Sequence, residues 1–316
     1  MDFLRLLESI RTPFFDTFFQ FFTMFGEETL FMVISLVFLW CYDKKCGYYL
    51  LYTGITGALA NGFLKQIFCI PRPWVLDPNF TIVESARAGA TGYSFPSGHT
   101  QTAVGLYLGI ARRYRVKWVR IACIVLVALV GFSRMYLGVH TPADVLVSLG
   151  VGVLLAFGSY VLFQRAWNQN WKWFYPLLAF LVMLCAALVI LMECVPRPME
   201  AIAEFSDACV SSSYKMIGAG IGFCIVLWLD TRFIHYETKA VWWAQILKCV
   251  GGLLLILGVR ALKEPLLALT GGHDLGNAIR YFLMILAGGA LWPLTFRWFG
   301  KLCSPSDAET TSSQKE

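Results

Sequence analysis

Charged residues are scarce in this chain, at 15% of 316 residues, while 58% are hydrophobic and the mean hydropathy is +0.62. Soluble domains average about 25% charged residues. That deficit, with repeated apolar runs of near-spanning length, excludes an ordinary soluble domain and predicts an all-α, polytopic transmembrane helix bundle. The ten cysteines form no CxxC pair, which removes the common zinc and dithiol redox patterns. Cys123, Cys185, Cys224 and Cys249 lie inside apolar runs and read as small core residues. Cys69, Cys194 and Cys209 fall near the expected outer face, where a disulfide among them stays open. No cleavable signal is expected, because an Arg-Thr-Pro and nearby acidic residues flank the first apolar run. No convincing internal repeat of the transporter kind is present. The net charge of +6 does not mark a nucleic-acid binder, since the basic residues sit in short loops rather than along one face.

The first 27 residues place Arg5, Glu8, Arg11 and Asp16 among phenylalanines, the pattern of an amphipathic segment lying in the membrane interface. About nine spanning helices are then expected. Their ranges are Thr29 to Tyr42, Gly47 to Phe68, His99 to Ala111, Val119 to Phe132, Ala143 to Phe163, Trp173 to Val195, Tyr214 to Leu229, Ala240 to Leu262 and Ile279 to Phe299. The third is short for a full span. Asp43-Lys44-Lys45, the run from Arg112 to Arg120, Arg165, Lys172, Arg232, Lys239, Arg297 and Lys301 share one side. The positive-inside rule makes that side cytoplasmic, with the N-terminus outside and the C-terminus inside. Residues 28–164 form the expected core, 165–303 additional helices, and 304–316 a polar, disordered cytoplasmic tail.

Three cations stand out on the opposite side: Lys65, Arg72 and Arg134. Singly, each would read as a snorkelling side chain. Together with two of only four histidines, they ask for an anion. In Lys65 to Pro73 (KQIFCIPRP), Pro71 cannot continue the helix and Pro73 biases Arg72 towards an extended conformation. In Tyr93 to Thr100 (YSFPSGHT), Ser97 and Gly98 precede an apolar helix, the form of a helix N-terminus that receives an anion, with His99 at its mouth. In Ser133 to Asp144 (SRMYLGVHTPAD), Thr141 is the expected N-cap and Pro142 the first helical residue, which sets Asp144 one turn beyond His140. A carboxylate there fixes the imidazole tautomer and leaves the other nitrogen free to attack. Asn61 is placed to orient Lys65 or to bond a neighbouring helix, and Ser133 to contact phosphate or to end its helix. Lys248 is costly in hydrocarbon and should face the interior or snorkel, and His273 in the Gly271–Asp274 loop is a candidate at the entrance.

The pattern K-x6-RP, then PSGH, then SR-x5-H-x3-D, complete and in order over residues 65–144, resembles that of the type 2 phosphatidic acid phosphatase superfamily, which includes integral-membrane lipid phosphate phosphatases. The longer layout is similar to the sphingoid-base phosphate phosphatase and glucose-6-phosphatase branches. The resemblance implies that His140 is the nucleophile, forming a phosphohistidine, with Asp144 orienting it. It makes His99 the acid for the leaving oxygen and then the base for water. It gives Lys65, Arg72, Arg134, Ser97 and the Gly98 amide to the phosphoryl oxygens, and it implies no metal and no other cofactor. Physical chemistry points the same way. The transition state spreads charge over three equatorial oxygens, which fixed cations and a helix N-terminus stabilise.

The expected substrate is a phosphorylated lipid monoester or diphosphate, met at the extracytoplasmic face, with membrane lipids as the other partner and no nucleic acid. Oligomeric state is open. The alternatives are a sugar-phosphate phosphatase, a lipid phosphotransferase, and a transporter or scaffold with a vestigial site, although no site residue is missing. The vanadium haloperoxidases share the anion site but are soluble. The expected location is an inner or plasma membrane in a bacterium. In a eukaryote it is an endomembrane with a luminal site, where the Asn79-Phe80-Thr81 sequon would be meaningful.

Overall fold

The computed structural model describes residues 1–194 and 203–300, which are helical with no strand among them. The end of the sixth expected span at Val195, Lys301 and the tail from Ser304 lie outside the described residues. The chain divides into two compact units, one made of Met1–Val33 with Tyr49–Ile217, the other of Ile34–Tyr48 with the chain from Gly218 onward.

The helices, in order, are α1 (Asp2–Ser9), α2 (Pro13–Thr23), α3 (Glu28–Val37) and α4 (Lys44–Phe68). Next comes α5 (98–113), built from Gly98–Ala103, a π turn Val104–Leu108 and Gly109–Arg113. Then follow α6 (Lys117–Tyr136), α7 (Pro142–Asn168), α8 (Phe174–Cys194) and α9 (Ala203–Leu229). The last are α10 (Trp242–Arg260), α11 (Lys263–Leu269) and α12 (Leu275–Leu286), which runs on through a π turn Ala287–Leu291 into the short helices Trp292–Leu294 and Phe296–Gly300. Each of the nine expected ranges lies on helix over most of its described length, although Ala240, Val241, Ala261 and Leu262 fall outside α10 and Thr295 is a turn. Six described helices are long and apolar enough to cross a membrane by themselves, or seven with the broken pair Pro13–Gly26 and Glu28–Tyr42 counted as one. The two others are α4 and α5. At 25 residues α4 has the length, but Thr53, Thr56 and Asn61 lower its hydropathy, and all three are buried. α5 is short, its three pieces measuring 6, 5 and 5 residues.

In the first unit α4 is the polar axle. The Tyr49 hydroxyl donates to Ala156 O at 2.7 Å and the Tyr52 hydroxyl to Leu177 O at 2.9 Å, tying α4 to α7 and α8. Bonds of this kind contribute about 0.6–2 kcal/mol each within a membrane. Glycines let the helices close up, since a Cβ at Gly152 would lie 2.6 Å from Val104 Cγ1 and one at Gly109 2.7 Å from Leu50 Cδ2. The N-terminal segment folds as α1 and α2. Thr12 caps α2 by accepting from Phe15 N, and Phe14 and Phe21 face outward. On the other face Phe19 packs on Phe132 and Tyr136, with ring centroids 5.2 and 4.4 Å apart. Arg5 pairs with Asp77 at 2.5 Å, and Arg11 Nε donates to Tyr136 O at 3.0 Å. These contacts fix the loop from which the site is built.

The second unit holds its polar groups in pairs. Lys44 meets buried Asp230 at 2.8 Å and lies 4.0 Å over the Tyr236 ring. Lys248 faces the interior, as one of its two sequence readings had it. It is buried, donates to Thr238 O at 2.7 Å and sits 4.4 Å from the Phe296 centroid. A Cβ at Gly218 would be 1.9 Å from Ala278 O, so α9 and α12 touch backbone to backbone. Cys69, Cys194 and Cys209 are free thiols, so the disulfide left open is not formed. Cys249 is not simply a packing residue, because its sulfur lies 3.3 Å from that of Cys41.

Candidate active site

Arg72 is set by the break after α4. Pro71 ends the run, and Arg72 adopts φ −69° and ψ 154°, extended as the following proline dictates. Its guanidinium is buried and spends its donors on Gly92 O (2.9 Å), Thr91 O (2.8 Å), Val139 O (3.0 Å) and His140 Nε2 (3.0 Å). Burial, partly offset by Asp144, brings its pKa down to about 10, so it stays cationic at neutral pH. Lys65, one turn before the end of α4, donates to Tyr93 O.

The α6–α7 connection presents the imidazole. Gly138 takes φ +82°, a conformation that glycine adopts without strain. The amides of Val139 and His140 then turn back onto Arg134 O at 3.1 and 3.2 Å. Thr141 and Asp144 form a capping box, Asp144 N donating to Thr141 Oγ1 at 3.3 Å and Thr141 N to Asp144 Oδ2 at 2.8 Å. The same carboxylate oxygen accepts from Ser94 Oγ at 2.5 Å and faces His140 Nδ1 at 3.3 Å. A guanidinium can only donate, so Nε2 of His140 carries its lone pair and Nδ1 its proton. Burial, then Arg72, Arg134 and Lys65, hold the His140 pKa well below the ordinary imidazole value. The ring is therefore neutral, with its reactive nitrogen away from the carboxylate.

Ser97 caps α5, its hydroxyl accepting from Thr100 N at 3.5 Å and Thr100 Oγ1 at 3.0 Å. Ser97 N donates to Asp144 O at 3.1 Å, which joins this helix start to that of α7. Nothing lies within 4 Å of the position a Cβ on Gly98 would take, so the backbone there is open to an incoming group. The His99 ring borders Gly89, whose Cβ position is 3.8 Å from both Cε1 and Nε2. Arg134 is 1% exposed; NH1 donates to Thr23 Oγ1 at 2.7 Å, while Nε and NH2 have no partner. Leaving donors of a buried cation unpaired is costly, and an anion would satisfy them.

A cavity of about 400 Å³ joins these groups. Lys65, Arg72, Gly98, His99 and His140 line it, as does Asn61, whereas Ser97, Arg134 and Asp144 are not among its lining residues. Asn61 neither orients Lys65 nor bonds a neighbouring helix; its Nδ2 donates to Pro96 O at 3.4 Å, in the loop before α5. Ser133 turns back on its own helix, donating to Val130 O at 2.7 Å. His273 lies in the second unit, where its Nδ1 accepts from Leu275 N at 3.0 Å. Sequence reasoning missed Ser94, Gln101, Glu27, Glu28 and Lys215. These positions are brought to the site by long-range packing, which no local pattern encodes.

The PAP2 superfamily matches residues 46–171, and its phosphatase transmembrane extension matches residues 214–304. A probable sphingosine-1-phosphate phosphatase of Dictyostelium discoideum is 27% identical over 244 residues, covering 72% of this chain and 56% of that protein. An undecaprenyl-diphosphatase of Bacillus subtilis is 35% identical over 105 residues, 33% of this chain and 51% of that one. A lipid A 4'-phosphatase of Porphyromonas gingivalis is 30% identical over 176 residues, 52% of this chain and 72% of that one. The chain thus spans little more than half the length of the first two relatives. No solved structure matches it. A complete motif set gathered around one cavity, with both parts of the family's architecture matched in order, has one reading: the chain belongs to the PAP2 superfamily.

Proposed function

We propose that this protein is a membrane-embedded lipid phosphate phosphatase that works through a phosphohistidine without a metal. The observation that carries the proposal is His140, neutral, with Nδ1 against Asp144 and Nε2 against Arg72 in a cavity shared with His99 and Lys65. In the first step Nε2 attacks phosphorus, the P–N bond forms and the P–O bond to the lipid breaks. The bound phosphate dianion favours the imidazolium form of His99, which then protonates the departing oxygen. Asp144 stabilises the charge that develops on His140. Arg72 exchanges its bond to Nε2 for phosphoryl oxygens, where Lys65, Arg134 and the α5 start also stabilise charge. In the second step His99 takes a proton from water, the water oxygen attacks phosphorus, and the P–N bond breaks to release phosphate and restore His140. Neutral His140 with protonated His99 predicts a bell-shaped pH profile.

The names of the relatives support a phosphorylated lipid and span sphingoid-base phosphates, polyprenyl diphosphates and lipid A. The positive-inside pattern supports a site at the extracytoplasmic face. The test is phosphate release from a panel of phosphorylated lipids and sugar phosphates, with chelator present, by wild type and His140→Ala. Release from lipids alone, lost in the variant, is the expected result. Transfer of the phosphoryl group to an added lipid alcohol, with no free phosphate, would instead make the enzyme a transferase.

A further inference from the structure

Helix α2 precedes residues 46–171, which match the PAP2 superfamily, yet it reaches the site. Thr12 and Pro13 start the helix. Asp16, Phe19 and Thr23 then follow at helical spacing, so they share one face. That face lies against α6, where Asp16 Oδ1 accepts from the Tyr136 hydroxyl at 3.1 Å and the Phe19 ring sits 5.2 Å from that of Phe132. The end of α2 approaches more closely still. A Cβ on Gly26 would lie 2.7 Å from Val130 Cγ1 and 2.8 Å from His99 O.

Thr23, the last residue of α2, is 2% exposed, and its hydroxyl accepts from NH1 of Arg134 at 2.7 Å. Long side chains on a helix point back towards its N-terminus. The Arg134 guanidinium is therefore carried along α6 towards Val130, the residue that meets the end of α2. Among the described residues Thr23 is its one hydrogen-bond partner, and Nε and NH2 have none. Arg134 is also close enough to His99 and His140 to act on both rings electrostatically. The guanidinium thus has one donor fixed to protein and an open edge in the neighbourhood of the two histidines. Packing alone does not call for a hydroxyl at this position, because valine fills the same space without one.

Resting on the phosphatase reading above, we propose that Thr23 is a positioning residue for phosphoryl transfer, holding NH1 of Arg134 so that Nε and NH2 meet the phosphoryl oxygens. Thr23 touches no substrate itself. Its bond sets the plane of the guanidinium before phosphate arrives, so the cost of ordering that side chain is not met again at each binding event. A planar fork held in advance stabilises charge developing on phosphorus better than one that must turn into place. Helix α2 is then part of the active site, and not only a support for its loop.

The experiment uses the full-length protein in detergent, the lipid phosphate of the panel above that wild type hydrolyses fastest, and inorganic phosphate as the binding probe. Thr23→Val should lower kcat/KM by about tenfold or more, and Thr23→Ser should return it to within about threefold of wild type. Phosphate affinity, read from the rise in Tm that inorganic phosphate produces, should weaken by about the same factor in Thr23→Val and recover in Thr23→Ser. In an Arg134→Ala background no guanidinium remains to be held, so Thr23→Val should change phosphate affinity by less than about twofold. Equal behaviour of the valine and serine enzymes overturns the positioning role. So does a loss in the double variant as large as in the single one, or an Arg134→Ala protein that binds phosphate like wild type. Thr23→Ala takes the place of the valine enzyme if that one does not fold. If neither folds, the hydroxyl serves the fold and the proposal falls. In all these cases the phosphatase reading stands. If wild type hydrolyses no lipid phosphate, both readings fall.

Discussion

Arg72 and His140, 68 positions apart in the chain, meet at 3.0 Å, guanidinium NH1 to imidazole Nε2. The pairing is informative because one partner cannot accept a hydrogen bond, which fixes the protonation of the other. Arg72→Lys keeps the charge but loses the planar fork that also holds Thr91, Gly92 and Val139. At roughly 1.5–3 kcal/mol for a charge-assisted bond, kcat/KM for lipid phosphate hydrolysis should fall by about 100-fold. A loss under threefold would remove Arg72 from the site.

Asp144 serves two purposes, and substitutions separate them. Asp144→Asn keeps the shape but removes the charge opposite Nδ1, so kcat should drop by about two orders of magnitude or more. Thr141→Ala removes only the cap, at about 1 kcal/mol, and should lower Tm by a few degrees with a much smaller change in kcat. Steady-state kinetics beside thermal unfolding of both variants checks the division.

Gly98→Ala tests the open approach to the α5 start. No atom lies within 4 Å of the new methyl, so the fold should tolerate it to within about 0.5 kcal/mol. The methyl would enter the space given to phosphate, and phosphate inhibition should weaken by about tenfold or more. Unchanged phosphate affinity would argue that the anion sits elsewhere.

The depressed His140 pKa has a sign that can be measured. The unfolded chain takes up a proton near pH 6.5, the ordinary value, while the folded protein does so only well below it. Protonation therefore favours the unfolded state. His140 adds no penalty above about pH 6.5, and stability falls as pH drops from there towards the folded pKa. A His140→Asn protein should show a shallower decline of Tm over that interval. Equal slopes would contradict a neutral, buried imidazole.

Local chemistry made much of this site legible. Thr141, Pro142 and Asp144 write a helix start in four residues, and Ser97 and Gly98 write another, so both appear where the sequence puts them. Pro71 and Pro73 likewise fix the course of Arg72. What stayed hidden is convergence between distant segments. Ser94 reaches Asp144 across 50 positions, and Gly26 reaches His99 through a loop path no pattern encodes. The spans were harder to read where helices are buried in protein rather than lipid. α4 carries Thr53, Thr56 and Asn61 because its neighbours, not acyl chains, surround it. Asn61 illustrates the limit, since helical spacing suggested Lys65 while the partner is Pro96 O.

The central claim is that the phosphoryl group passes through His140, and rapid-quench trapping tests it directly. Full-length protein mixed with a lipid phosphate labelled in its phosphoryl group, then quenched in alkali, should carry acid-labile, alkali-stable label on the peptide containing His140. His140→Ala should carry none and release no phosphate. Label on another residue, or steady turnover in His140→Ala, would contradict the account.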